Sequence, residues 1–93
     1  MNEKDKLRYL VDGLLNDLYE IGTFCDEFTR IYNLELDYDE LTNEENVLFG
    51  ELAEMAGRFS DDVDELMIPN MYCNKEEIIE KARISREQLG WHI

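Results

Sequence analysis

Apolar residues recur along the chain with a period close to 3.6, and four segments carry the pattern strongly enough to predict helices. The first holds Leu7, Leu10, Val11, Leu14, Leu15 and Leu18, weakly interrupted by Gly13, with a break expected near Asn16-Asp17. The second holds Ile21, Phe24, Cys25, Phe28, Ile31 and Tyr32 and ends at Asn33. The third is the clearest. Leu48, Leu52, Met55 and Phe59 form one stripe, Phe49, Ala53 and Ala56 lie beside it, and Glu51, Glu54 and Arg58 form the polar face. The fourth places Ile78, Ile79 and Ala82 inward. Between these, residues 33–41 read as irregular, and Pro69 lies within a long loop from Asp61 to Cys73. No strand-like alternation, Asn-Gly turn, repeat or low-complexity stretch competes. The predicted fold is all-α, an antiparallel four-helix bundle, in one domain spanning residues 1–93.

Two helix starts are written into the sequence. Thr42 followed by Glu45, and Asn74 followed by Glu77, have the spacing of capping boxes. Gly90 is a suitable stop after Leu89.

Charge then changes the picture. The net charge is −14, and no Lys or Arg lies between Arg30 and Arg58. The stretch ELDYDELTNEE, residues 35–45, holds six carboxylates. Glu44 and Glu45 have a local role at the positive end of a helix dipole, whereas Glu35, Asp37, Asp39 and Glu40 have no helix to cap. Asp61, Asp62, Asp64 and Glu65 form a second acidic run. Arg58 is expected to pair with Glu54 at i−4 or Asp62 at i+4. Such a surface repels nucleic acid and anionic membranes and attracts basic proteins. At this length a folded chain buries about 60 to 65% of its unfolded surface, so the core is small.

There is no apolar run long enough to cross a membrane and no signal-peptide pattern at Met1-Asn2-Glu3-Lys4, so the expected location is the cytoplasm. In that compartment Cys25 and Cys73 are expected to be free thiols. Cys25 falls on the apolar stripe of the second helix and reads as core.

Catalytic and metal chemistry find little support. A calcium loop starting at Asp37 would need an oxygen ligand at Leu41, a Gly at Thr42 and a Glu at Leu48; one starting at Glu35 fails at Glu40 and Asn46. Cys25, Cys73 and His92 lack zinc-ligand spacing, and His92, one residue from the end, reads as a tail residue. No phosphate-binding glycine loop is present. The expectation is a binding protein without cofactor, metal or enzymatic activity. Tyr38 and Tyr72 lie beside the acidic clusters and read equally as caps on the core or as interface anchors. The expected binding residues are therefore Asp37, Tyr38, Asp39, Glu54, Asp61, Asp62, Asp64, Glu65 and Tyr72.

At ELAEMAGRFSDD, residues 51–62, the sequence resembles the colicin D immunity protein family, which includes immunity proteins of contact-dependent inhibition systems. The second-helix stretch FCDEFTRIY and the last-helix stretch YCNKEEIIEKA fit the same frame. This resemblance implies a cytoplasmic four-helix bundle that inactivates a nuclease toxin, in the colicin D group a tRNase. It implies a monomer in a 1:1 complex, laying acidic side chains into the toxin's basic substrate cleft without touching nucleic acid. Asp62 and Asp64, just after Arg58-Phe59, are the carried-over candidates. Gly57 departs from the pattern, standing where an acid precedes the Arg-Phe pair. Two rivals remain: a DNA-mimic inhibitor of a DNA-binding protein, and an acidic adaptor or chaperone with an exposed apolar groove at Met67, Ile68 and Met71.

Overall fold

The computed structural model describes residues 3–90. Five α-helices follow in order: α1 (Glu3–Leu15), α2 (Ile21–Arg30), α3 (Asn43–Gly57), α4 (Val63–Leu66) and α5 (Lys75–Leu89). Helix α1 packs on α2 and α5, and α3 packs on α2 and α5. No strand occurs among the described residues, and the fold is all-α. The core combines Leu7 and Val11 of α1, Phe24 and Phe28 of α2, Phe49 and Leu52 of α3, and Ile78 of α5, all fully buried. Phe28 meets Phe24 with ring centroids 5.2 Å apart and meets Phe49 edge-on at 6.1 Å. Such pairs add about 0.5–1.5 kcal/mol beyond the area they bury.

The first helix ends where the sequence predicts a break, by a Schellman motif. Asp17 takes a left-handed conformation (φ 60°), Leu18 N–H donates to Gly13 C=O at 2.8 Å, and Asp17 N–H donates to Leu14 C=O at 3.2 Å. That reversal removes Leu18 from the stripe to which it was assigned and leaves it 67% exposed. The turn also brings Tyr19 back over Gly13. A Cβ there would lie 2.1 Å from Tyr19 Cε2, so Gly13 permits the close approach.

Both predicted capping boxes form. Thr42 and Glu45 satisfy each other's backbone N–H groups at the start of α3, and Asn74 and Glu77 do so at the start of α5. Gly90 closes α5 in the left-handed conformation (φ 66°).

Three further expectations need correction. Phe59, assigned to the stripe of the third helix, lies beyond α3, which ends at Gly57, and sits in a bridge with Cys73. Residues 33–41 are more ordered than an irregular segment: the second helix continues as a π-helical turn over Ile31–Glu35, followed by a single 3-10 turn over Tyr38–Glu40. The loop from Asp61 to Cys73 contains α4 and is fastened at its base. Ser60 N–H donates to Cys73 C=O at 3.0 Å, and Cys73 N–H donates to Arg58 C=O at 2.8 Å, an isolated parallel bridge between Phe59 and Cys73. Cys25 and Cys73 are buried free thiols.

Candidate functional site

The acidic run after α3 is a built segment. Asp62 caps α4, its Oδ1 accepting from Asp64 N–H at 2.8 Å. Beneath it, Ser60 is buried and joins both ends of the turn: its Oγ accepts from Asp62 N–H at 3.0 Å and donates to Glu65 Oε1 at 2.7 Å. Glu65 is thereby half-buried, and its carboxylate, aided by Asp62, holds the neighbouring Tyr72 phenol above its usual pKa. Asp61 and Asp64 remain exposed. Arg58 pairs with Glu54 at 3.5 Å, the i−4 alternative, and its Nη1 reaches Asn70 C=O at 3.5 Å. Glu54, Asp61, Asp62, Asp64, Glu65 and Tyr72 therefore belong to the C-terminal end of α3 and the α4 segment beyond it.

Tyr38, Asp37 and Asp39 stand at the other end of α3. Tyr38 stacks against Tyr32, with ring centroids 5.1 Å apart, and donates to Tyr32 C=O at 2.9 Å while staying 46% exposed. Helix α3 has 15 residues, so its rise separates the two groups by about 20 Å. The structure thus divides the expected binding residues into two surfaces.

The acids before α3 also have local roles that their spacing did not reveal. Glu35 pairs with Arg30, which reaches across the π turn and also holds Glu27. Asp37 Oδ1 accepts from Asp39 N–H at 3.0 Å and caps the 3-10 turn. The assignment of Glu35 and Asp37 as carboxylates without local partners is corrected accordingly; among the described residues, the side chains of Asp39 and Glu40 form no ion pair or hydrogen bond.

Most bases are engaged inside the chain. Lys4 pairs with Glu45 at 2.9 Å, Lys81 with Glu51 at 3.2 Å, Arg83 with Glu87 at 2.9 Å, and Arg86 with the buried Asp12 at 3.3 Å. Among the described residues, Asp37, Asp39, Asp61, Asp62, Asp64 and Glu65 form no ion pair.

The polar face that the sequence assigns to Glu51 and Glu54 extends further along α3 than predicted, to Val47 and Glu44. Glu44, Val47, Glu51 and Glu54 lie on the exposed outer face of α3, and Val47 is 60% exposed. Their i, i+3, i+7, i+10 spacing, beside the buried Leu48-Leu52 stripe, carried that signal. A groove of about 510 Å³ between α3 and α5 runs beside them, with the Glu51-Lys81 pair on its wall.

Chemically, the arrangement supports recognition. No group of three or more His, Cys, Asp or Glu is placed to hold a metal ion among the described residues. Burial pushes the Cys25 thiol up to about 12, with Asp26 and Cys73 adding to the effect, so a thiolate is disfavoured there. His92, read as a tail residue, lies outside the described residues. No described helix is long and apolar enough to cross a membrane. Comparison of the chain with protein-family models, curated proteins and solved structures returns no match.

Proposed function

We propose that this protein is an immunity protein that neutralises a nuclease toxin, a tRNase by its resemblance, by covering the toxin's basic substrate cleft with an acidic surface. One observation carries the reading: among the described residues, Asp37 and Asp39 before α3 and Asp61, Asp62, Asp64 and Glu65 after it form no ion pair, while most of the chain's bases are engaged with other carboxylates. A cleft that holds RNA phosphates must be positive, and a preformed anionic surface competes for the same field. Capture must precede tRNA cleavage, so the fast association given by electrostatic steering suits the task. The resemblance of residues 51–62 to the colicin D immunity family points the same way. On this reading the protein is a cytoplasmic monomer that forms a 1:1 complex, needs no cofactor and catalyses nothing. Its four long helices form an antiparallel bundle, consistent with α1, α2, α3 and α5 each packing on two of the others.

The roles divide by location. Asp61, Asp62 and Asp64 face the toxin most directly, and Asp37, Asp39 and Tyr38 extend the field from the far end. Glu54, Glu65 and Tyr72 hold the α4 segment in place as well as contributing charge and contact. The test is inhibition. Adding the protein stoichiometrically to its nuclease abolishes RNA cleavage. The variant D61N/D62N/D64N/E65Q associates more slowly, with a flatter dependence on salt. Unchanged rate and salt dependence would remove the α4 segment from the interface.

A further inference from the structure

The α4 segment exposes apolar side chains among its acids. Met67 is 76% exposed, Val63 72%, Met71 52% and Ile68 45%. Val63 and Met67 lie one helical turn apart, Met67 N–H donating to Val63 C=O at 3.2 Å, so their side chains share a face. The inward side of the turn is served by Leu66, which lines a small cavity of about 190 Å³ with Ile21 and Phe59. Nothing in the core therefore requires the four exposed residues to be apolar. The segment is nevertheless held in shape, by the Ser60-Glu65 and Asp62-Asp64 hydrogen bonds and the bridge at Cys73. Exposed apolar side chains gathered on one short ordered segment, unlike singly scattered ones, mark a contact surface, and methionines adapt to the shape of what they meet.

The charge around the patch selects its occupant. A second copy of this chain would set Asp61, Asp62 and Asp64 against their own counterparts, at a net charge of −14 each. An anionic lipid surface is repelled for the same reason. We infer that Val63, Met67, Ile68 and Met71 form the anchor for a basic protein surface that presents apolar side chains among its Lys and Arg residues. This rests on the immunity reading and deepens it: the carboxylates govern how fast the partner arrives, and the apolar anchor governs how slowly it leaves. Screening over about 8 Å at physiological salt weakens the first contribution and not the second.

The experiment uses two synthetic peptides of equal length and charge, one an amphipathic Lys/Leu helix and the other a Lys/Gln sequence. Their affinities for the full-length protein are measured by fluorescence anisotropy at low and high salt, and their sites are mapped by amide shifts of the labelled protein. The Lys/Leu peptide is expected to bind roughly tenfold tighter or more, to keep that advantage at high salt, and to shift amides centred on residues 63–71. The variant M67Q/M71Q, altered at two exposed positions, is expected to erase the advantage while leaving the Lys/Gln affinity unchanged. Equal affinity of the two peptides, shifts centred elsewhere, or a retained advantage in M67Q/M71Q would overturn the inference. A nuclease neutralised with its contacts elsewhere would overturn the anchor and keep the immunity reading. Peptide docking as expected on a protein that neutralises no nuclease would do the reverse.

Discussion

Asp17 and Glu45 show how single residues set the stability of this chain. Asp17 holds the left-handed position of the Schellman motif, where a side chain is strained, and places a negative charge at the negative end of α1. Asp17→Gly is expected to raise stability by about 0.5–1 kcal/mol, read from urea unfolding midpoints. Burial pushes the Glu45 carboxyl up, but the Thr42 backbone N–H and Lys4 outweigh it and hold the group below its usual value. With the folded value depressed, the stabilisation is complete above the unfolded value near 4.3 and is lost as pH falls through the folded value. Glu45→Gln keeps an acceptor for the Thr42 N–H and loses the charge. Wild type is therefore expected to be more stable than this variant at neutral pH, and the gap to close in acid, as thermal melts across pH would show. At this scale much was legible. Thr42, Glu45, Asn74, Glu77 and Gly90 act as their spacing predicts, because caps are local chemistry. The Arg30-Glu35 pair was not legible, because it depends on a π turn that apolar periodicity does not encode.

Among the elements, the long helices follow from the apolar stripes, whereas α4 does not. It is four residues long, and its stabilising contacts come from outside the helix: the Asp62 cap, the buried Ser60 hydroxyl and the bridge at Cys73. A helix that short has no stripe to read, and the loop signals around Pro69 mask it. Ser60→Ala removes the hydroxyl that ties Asp62 to Glu65. Hydrogen exchange of residues 62–68 is expected to accelerate, while the amides of α1, α2 and α3 keep their protection, since local opening there leaves the core intact. Uniformly faster exchange would mean that α4 belongs to the cooperative core. The stop of α1 is the complementary case. The sequence predicts the break at Asn16-Asp17, but the assignment of Leu18 to the stripe fails because the reversal at Asp17 turns it outward.

Across the whole molecule, charge is segregated. The long axis extends 38 Å, and α3 carries acids along its outer face from the Tyr38 end to the α4 end. Sequence alone showed the excess of carboxylates; their division into two surfaces about 20 Å apart follows from the length of α3 between them. A partner that touches both ends must lie along α3, past Glu44, Val47, Glu51 and Glu54. One that touches a single end leaves the other for steering. The most direct measurement is affinity capture on the full-length protein from a lysate of the source cells, at low and high salt, followed by an RNA-cleavage assay of what is recovered. A basic nuclease, retained at both salts and silenced at 1:1 stoichiometry, is the predicted result. Recovery of a DNA-binding protein displaced by DNA, or of a nuclease that stays active with the protein in excess, would contradict it.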